Sequence, residues 1–491
     1  MNRSRILKYF LVGIISFTVL FSVFFFGFQL LTRTGIFRIP GVVTFDDSLT
    51  DEEYAFLSSI FNEDVDLEKD VKISARSEFL SPVLKVGEFL YNIYVPVTDF
   101  YSTETTVSIN SPDDIFDDYD GSFDVISVDD LDYTKKLLKL NDNYYLDTFK
   151  SGAVFRIITF ESDIYHKEIE PLVADIFKRD FPSKEKVLTL AQTGVTALSR
   201  GMNQKLYQVG DATYFADQIK EFLSSFDLTH TSNESSFTDY ANSKNICSDK
   251  RFIDTLTAIG LDIVELTGNH NLDCGADAAR ETIDIYNEND ILTVGGGKTA
   301  EEAAIPLEID LKSNNVTMLA FNESTGGATT GDYPGANQYD EDLASRQIAE
   351  AKERGDLVIV DIQYYECNAY ASEYEDPTCD RADSAAGDQV GFFRSLIDMG
   401  ADIVVGTSAH QPQTFELYGD GVIFYGLGNL FFDQVWWPGT TRSLVLVHHV
   451  FNNKLLQTQI VPTVYDSGMQ TRLLDEVTAE WFLNRLISVR P

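Results

Sequence analysis

The chain has 491 residues, and its 77 Asp and Glu residues outnumber its 38 Lys and Arg residues, which gives a formal net charge of −39. Hydrophobic residues make up 44% of the chain, enough for packed cores, so wholesale disorder is excluded. The charge is spread along the sequence, which indicates a solvated acidic surface, with a reservoir for divalent cations as the alternative. Because such a surface repels phosphate backbones and no basic run interrupts it, nucleic acid is excluded as a partner.

The N-terminus carries an apolar segment, Tyr9 to Leu31, of 23 residues without a formal charge. As a helix it would span roughly 35 Å, enough to cross a bilayer. Basic residues at Arg3, Arg5 and Lys8 predict a cytoplasmic tail at 1–8 and an extracytoplasmic location for the rest, as in a single-pass cell-membrane protein. A cleaved signal peptide is the alternative, but the apolar stretch exceeds the usual length of about 7–15 residues and no A-x-A-like site follows.

The remaining chain divides by its patterns into a linker and two domains. Residues 32–45 contain Gly and Pro and are interpreted as a linker, and residues 46–181 as a small α/β domain of unknown role, for which ligand binding is one hypothesis. Residues 186–435 alternate strands rich in Val, Ile and Leu with helices, which predicts a layered α/β domain. Residues 436–491 are expected to be a C-terminal extension that packs on this domain.

Four cysteines stand in a chain that is expected to be exported, at Cys247, Cys274, Cys367 and Cys379. No C-x-x-C spacing is present, which argues against a thiolate zinc site. Cys367 and Cys379 close a short acidic loop and would pair naturally, which leaves Cys247 with Cys274. Both bridges suit an oxidising compartment, although the sequence alone leaves the connectivity open.

Polar residues cluster just after the predicted strands of the larger domain, where layered α/β folds gather their reactive groups. The candidates follow four strands, at Asn233 and Glu234; at Asn269, His270 and Asp273; at Gln363 and Glu366; and at Ser408, His410 and Gln413. Carboxylate, amide and imidazole groups are ligands that suit Zn²⁺, Mn²⁺ or Fe²⁺. The alternative is a structural role, in which side chains such as Asn269 and His270 cap the strand ends by bonding to the backbone.

Several of these motifs occur in the order found in a known family. The motifs are SNE at 232–234, GNHNLDCG at 268–275 and the long segment from GADIVVGTSAHQPQ to GNLFFDQ at 400–434. Residues of about 186–435 therefore resemble the poly-γ-glutamate capsule-synthesis family CapA, a branch of the calcineurin-like metallophosphoesterase superfamily. The resemblance implies a metallophosphoesterase-like fold, a membrane anchor before an exported domain, and an anionic polymer and capsule-assembly membrane proteins as partners.

The sequence departs from the family at three expected metal ligands. Val195 stands where the family has the Asp of a Gly-Asp pair, Gln363 replaces a His, and Ser408 replaces the first His of a His-Pro-His group. By the resemblance, Glu234, Asn269 and His410 remain as metal ligands. A tight binuclear centre normally needs a bridging carboxylate and more imidazoles, so we expect one weakly held divalent metal (Mn, Zn or Fe) or none.

Two functions follow from the resemblance and its departures. In the first, a membrane-anchored protein takes part in the synthesis, processing or export of an anionic surface polymer such as poly-γ-glutamate. If it is a metal-dependent hydrolase or transferase, it attacks an acyl or phosphoryl centre, with His270 as general acid and Glu366 as base or ligand. In the second, the chain is a non-catalytic binding or scaffold protein with a decayed metal site. Asn429, in the GLGN run at 426–429, is interpreted as part of a structural turn at the pocket rim.

Overall fold

The computed structural model describes residues 43–61, 70–116, 123–163, 165–324, 326–364, 388–435 and 438–491. The expected membrane segment Tyr9–Leu31, the candidate Glu366 and the expected Cys367–Cys379 bridge lie outside these residues. Within the described part of the chain, no helix has both the length and the apolar character needed to cross a membrane.

The described residues form a mixed α/β structure, as predicted, with strands along most of the chain. The strands are β1 (Val43–Phe45), β2 (Val71–Glu78), β3 (Glu88–Asp99), β4 (Thr106–Val107), β5 (Asp124–Ser127), β6 (Lys135–Leu137), β7 (Lys139–Leu140), β8 (Val154–Glu161), β9 (Leu188–Ala197), β10 (Leu228–Asn233), β11 (Phe237–Thr238), β12 (Ser248–Asp249), β13 (Ile263–Glu265), β14 (Leu292–Val294), β15 (Gly296–Gly297), β16 (Leu307–Leu311), β17 (Asn314–Glu323), β18 (Gly335–Ala336), β19 (Leu357–Tyr364), β20 (Ile403–Gly406), β21 (Phe415–Tyr418), β22 (Gly421–Phe424), β23 (Asn429–Phe432), β24 (Arg442–Phe451), β25 (Lys454–Tyr465) and β26 (Thr471–Leu473).

The α-helices are short, and the longest lie between strands of the larger part of the chain. They are α1 (Asp51–Ile60), α2 (Tyr145–Thr148), α3 (Glu170–Val173), α4 (Gly201–Val209), α5 (Lys220–Leu223), α6 (Ile253–Ala258), α7 (Ala276–Glu288), α8 (Ala300–Ala303), α9 (Glu341–Arg354), α10 (Gln389–Asp398) and α11 (Glu476–Ile487).

The chain folds into two compact units. Unit 1 comprises Met1–Tyr94, Ile109–Asp117 and Ala153–Asp180, and unit 2 comprises Val95–Ser108, Asp118–Gly152 and Phe181–Pro491. The residues expected to form one small domain at 46–181 are therefore distributed over both units.

Unit 1 is built on strands β1, β2, β8 and β3, which are neighbours in that order. β1 runs parallel to β2, and β8 pairs antiparallel with both β2 and β3. Helix α1 begins with a capping box in which Thr50 and Glu53 satisfy each other's backbone amides. Its buried Leu57 joins Ile73 and Ile158 of the sheet in one core.

Unit 2 contains two large sheets that face each other. One has the order β14-β13-β10-β9-β24-β25-β26, and the other has the order β16-β17-β19-β20-β22-β21. Strands β9, β10, β13 and β14 are mutually parallel, as are β17, β19, β20 and β22. On one face of the strands, residues such as Leu190, Ile263 and Ile359 from both sheets meet in one core. On the opposite faces, Val264 and Val360 belong to two separate cores that include helical residues. The predicted layered α/β arrangement therefore places the carboxyl ends of the parallel strands of each sheet at a common edge.

The C-terminal strands β24, β25 and β26 belong to the same sheet as β9. β24 pairs antiparallel with β9 on one side and with β25 on the other. A disulfide joins Cys247 to Cys274, with the two Cα atoms 5.9 Å apart. This is one of the two pairings expected from the sequence.

Candidate functional site

The layer between the two sheets of unit 2 changes from apolar to polar towards the carboxyl ends of the parallel strands. Leu190, Ile263 and Ile359 are followed two residues later, on the same face of their strands, by polar residues. These polar residues are Gln192, Glu265 and Asp361, each fully buried, and His230 on the intervening strand is fully buried as well. Such burial is costly unless the groups bond to one another, so the polar end of the layer is where chemistry is expected.

Glu234 follows strand β10 directly and is fully buried at the polar end of this layer. Its backbone amide donates to the carbonyl of Thr196 at 2.9 Å. The loop after β13 passes very close, since a Cβ on Gly268 would lie only 2.7 Å from the Cα of Glu234. A glycine at 268 therefore allows the next residue, Asn269, to approach Glu234.

Gln363, near the end of β19, lies between Glu234 and Asn269. Its Nε2 donates to Oδ1 of Asn269 at 3.2 Å and to Oε1 of Glu234 at 3.4 Å. The side chain is fully buried. Three strand ends from two facing sheets thus meet through one amide group.

His410 completes the group from the loop after β20. Its Nε2 lies 3.9 Å from Oε2 of Glu234, and its Nδ1 lies 2.9 Å from Oδ1 of Asn429. Asn429 donates through Nδ2 to the carbonyl of Thr440 and to Gln434, so its Oδ1 is the acceptor and Nδ1 of His410 carries the proton. With that tautomer, Nε2 of His410 is the nitrogen that faces the carboxylate.

The other predicted site residues are placed as follows. His270 is partly exposed, and its Nδ1 lies 2.8 Å from Oδ2 of Asp273, so a carboxylate orients its ring. Ser408, where a family histidine was expected, donates to the carbonyl of Tyr364 at 2.5 Å. Glu366 is among the residues that the structure does not describe.

The donor set around Gln363 does not fit a tightly held metal ion. Among the described residues, no group of three or more His, Cys, Asp or Glu side chains is arranged to hold a metal. The amide group of Gln363 donates to the same two oxygens, on Glu234 and Asn269, that a cation would need. One carboxylate and one imidazole remain, which is fewer than catalytic metal sites of this chemistry use.

A second layer of polar side chains lies one step deeper on the same strands. Nε2 of His230 lies 3.2 Å from Oδ2 of Asp361, and Gln192 donates to Oδ1 of Asp361 at 2.5 Å. Nε2 of His448 lies 3.2 Å from Oε1 of Gln192. Burial lowers the pKa of His448 to about 3, with the neighbouring histidines adding to the effect, so its ring stays neutral.

Glu265 belongs to this deeper layer and is fully buried. Burial and then the charge of Asp361 raise the pKa of Glu265 to about 7, against the opposing effect of hydrogen bonds from Ser232 and Thr267. Oε1 of Glu265 accepts from both the backbone amide and the hydroxyl of Thr267. A carboxyl group that exchanges its proton near neutral pH therefore lies two strand positions below the site.

A cationic side chain from the segment after β9 contacts Phe432, which in turn contacts His410 of the site. The guanidinium of Arg200 lies 4.4 Å from the centre of the Phe432 ring, and the imidazole of His410 lies 5.2 Å from the same ring. Asp433 accepts from Nε of Arg200 at 2.9 Å and from the amide of Gly201 at 2.7 Å. Arg200 has a strained backbone, with φ 49° and ψ −114°, which the clamp by Asp433 stabilises.

Some of these residues were not predicted to be functional. Arg200, Asp433 and the deeper residues His230, Glu265 and Asp361 lie outside the strand tails, and Asn429 was interpreted as part of a turn. A signal was present for the deeper layer, because single ionisable residues interrupt buried strands in runs such as LTHTSN, IVE and LVIVDIQ. For Arg200 there was none, because its contacts are with residues more than 200 positions away.

Comparison with known proteins decides the family. The family model described as bacterial capsule synthesis protein PGA_cap matches residues 189–434, about half of the chain. The chain belongs to this family. The resemblance to CapA proteins noted from the motifs is therefore confirmed.

Curated relatives carry names that agree with the family. The capsule biosynthesis protein CapA of Bacillus anthracis is 30% identical over 215 residues, which cover 43% of this chain and 49% of the relative. The PGA biosynthesis protein CapA of Bacillus subtilis is 28% identical over 219 residues, covering 44% of this chain and 54% of the relative. A probable polyglutamine synthesis accessory protein of Mycobacterium tuberculosis is 26% identical over 272 residues, covering 50% and 67%. The chain thus spans about half the length of the first two relatives.

Proposed function

We propose that this protein acts in the synthesis, processing or export of an anionic surface polymer such as poly-γ-glutamate, and that it does so outside the cell membrane. The observation that carries the proposal is the meeting of Glu234, Asn269, Gln363 and His410 at the strand ends of the segment that matches the capsule synthesis family. In the first two relatives, capsule or PGA biosynthesis is the named role.

A membrane anchor is the second part of the proposal. It rests on the uncharged Tyr9–Leu31 segment and the basic residues before it. N-terminal sequencing of protein extracted from membranes should find residues 1–39 retained. A mature chain that begins beyond Leu31 would show a cleaved signal peptide instead.

We propose that this strand-end site binds the polymer by contacts with its carboxylates and amides. Asn269, which is only partly buried, offers an amide group that can bond to a peptide-like link, and His410 presents Nε2 beside Glu234. The chain as a whole carries a charge of −39, so a polyanion approaches it only where a cation makes the local electrostatic potential less negative. Arg200, which contacts the same aromatic ring as His410, supplies such a cation.

Polymer binding tests the proposal directly. We expect the purified full-length protein to bind fluorescently labelled poly-γ-glutamate in a saturable, salt-dependent manner, measured by fluorescence anisotropy. His410→Ala should weaken this binding, whereas the matched change His166→Ala, in unit 1 on an exposed residue, should not. Equal binding by wild type and His410→Ala, or no binding at all, would contradict a polymer role for this site.

A non-catalytic binding or scaffold role is the second candidate. It is favoured by one observation, the hydrogen bonds from Gln363 to two of the expected metal ligands. Incubation of the protein with poly-γ-glutamate and Mn²⁺ or Zn²⁺, followed by size-exclusion chromatography, separates the two candidates. Shorter chains or new end groups would show an enzyme, and an unchanged polymer that still binds would show a binding protein.

A further inference from the structure

Unit 1 contains a cavity of about 220 Å³, which is not part of the proposed polymer site. It is lined by Ser48, Leu49, Thr50, Ala75, Asp113 and Arg156, all of which belong to unit 1. Its volume is below the roughly 300–1,000 Å³ of pockets that hold drug-sized ligands, so an occupant would be small.

Arg156 forms a rigid cationic wall of this cavity. Its side chain is only 3% exposed, and it donates to both carboxylate oxygens of Glu53 at 2.7 and 2.8 Å. The carbonyl of Ser48 accepts from Nη2 at 2.6 Å, and the hydroxyl of Ser77 accepts from Nη1 at 3.0 Å. These bonds from three different segments fix the guanidinium in one orientation.

Asp113 forms an anionic wall that can move. Its side chain is 68% exposed, and its Oδ1 lies 3.4 Å from Nη1 of Arg156. That separation is longer than the roughly 2.7–2.9 Å of a strong charge-assisted hydrogen bond. Asp113 therefore contributes little to holding Arg156, and its carboxylate can rotate away at small cost.

The charges of the cavity decide which class of small molecule fits. A simple anion beside Arg156 would meet two carboxylates, Glu53 and Asp113, for one guanidinium. A simple cation beside Asp113 would be repelled by the guanidinium of Arg156. A molecule with both charges leaves the net charge of the site unchanged and pairs each of its ends with a partner of opposite sign.

We propose that this cavity binds a small zwitterion of the amino-acid class, with its carboxylate beside Nη1 of Arg156 and its ammonium group on Asp113. The ligand carboxylate takes the place that Oδ1 of Asp113 holds at 3.4 Å, and the freed Asp113 turns to the ammonium group. Leu49 and Ala75 provide an apolar wall for the short carbon chain between the two charges.

Isothermal titration calorimetry on the full-length protein tests this site, with glycine, alanine and glutamate as probes and acetate and methylamine as single-charge controls. We expect at least one amino acid to bind at a single site, and both controls to bind at least tenfold more weakly. Asp113→Asn should weaken amino-acid binding at least tenfold. Glu52→Gln, a matched change of an exposed carboxylate in the first turn of α1, should leave it unchanged.

A second variant separates the cavity from the charge. Ala75→Leu fills the cavity from strand β2 and should abolish binding while thermal unfolding remains cooperative. Absence of binding by every amino acid, binding of acetate as tight as that of the amino acids, or an unchanged affinity in Asp113→Asn would each overturn the proposal.

Discussion

Gln363 donates a hydrogen bond from Nε2 to Oδ1 of Asn269 at 3.2 Å. Asn269 was expected to offer that oxygen to a metal ion. In the structure, the same oxygen already accepts a hydrogen bond from Gln363. The nitrogen of an amide carries hydrogens and has no lone pair for a metal, so Nε2 of Gln363, which faces Glu234 and Asn269, does not take the place of the histidine nitrogen expected at this position.

Replacing Gln363 by histidine is expected to create a metal site. The variant Gln363→His places an imidazole beside Glu234 and His410, which makes a His-His-Glu set. After dialysis against Zn²⁺ and then metal-free buffer, the wild type should retain a substoichiometric amount and the variant about one equivalent, measured by mass spectrometry of the metal content. The double variant Gln363→His/Glu234→Gln should lose the metal again. A wild type that retains a full equivalent would contradict the interpretation of this site.

Glu265 is expected to make the stability of the protein depend on pH. Its folded-state pKa of about 7 lies above the ordinary value of 4.5, so the folded protein binds the proton more tightly. The protonated Glu265 therefore contributes to the free energy of unfolding. This stabilisation is fully present below pH 4.5 and is lost as the pH rises to about 7, with a total of about 3 kcal/mol.

The variant Glu265→Gln isolates this effect from that of the buried histidines. His448 and His449 have pKa values lowered by burial to about 3 and about 4, so they oppose Glu265 by favouring the folded state at higher pH. The difference in unfolding free energy between Glu265→Gln and the wild type should therefore increase in favour of the variant from pH 4.5 to 7, measured by urea denaturation. A difference that does not change with pH would show that Glu265 has an ordinary pKa.

Arg200 is expected to contribute to polymer binding. Arg200→Gln removes the cation that contacts Phe432, and the affinity for poly-γ-glutamate should fall about tenfold, as expected for one charge-assisted contact. Arg251→Gln, which changes an exposed arginine paired with Asp249, serves as the matched control.

A purely structural role for Arg200 would give a different pattern. In that case Arg200→Gln would lower the melting temperature without changing the salt dependence of polymer binding. If Arg200 contacts a polymer carboxylate, the affinity of Arg200→Gln should depend less steeply on salt concentration than that of the wild type. Arg200→Lys should then restore part of that salt dependence.

The bridge between Cys247 and Cys274 is expected to stabilise the folded chain. The two residues are 27 positions apart, and closing a loop of that length contributes about 3 kcal/mol in the chain-entropy model. The variant Cys247→Ser/Cys274→Ser should lower the unfolding free energy by that order, and reduction of the wild type by dithiothreitol should give a similar loss. Peptide mapping that finds a free Cys274 in freshly isolated protein would contradict this pairing.

The sequence allowed the alternating strands of the segment 186–435 and their polar tails to be predicted, because both depend on local patterns. The predicted alternation of strands and helices is found, for example, in α7 and in the buried strand β19. In unit 1, a π-helical turn at Tyr165–Ile169 is followed by the single turn of α3. Pro171 lacks an amide hydrogen, which suits the first turn of a helix but not a helix interior, so α3 starts anew at that point.

The arrangement across the two sheets could not be predicted in the same way. That Gln363 bonds to Glu234, 129 residues earlier in the chain, depends on how two sheets face each other. The pairing of His230 with Asp361 has the same origin, since each residue lies on a different sheet. Local sequence patterns specify which residues are buried, and the facing sheets decide which of them meet.

Strand β24 has a consequence for how the chain could be shortened. The segment shared with the family ends at 434, yet β24 begins at Arg442 and covers the edge of β9 from Leu188 to Thr193. A chain cut after 434 would leave that row of backbone amides and carbonyls without partners. Another copy of the truncated chain could then pair with the exposed edge of β9. The truncated protein should therefore aggregate, although Glu234, Asn269, Gln363 and His410 are all present.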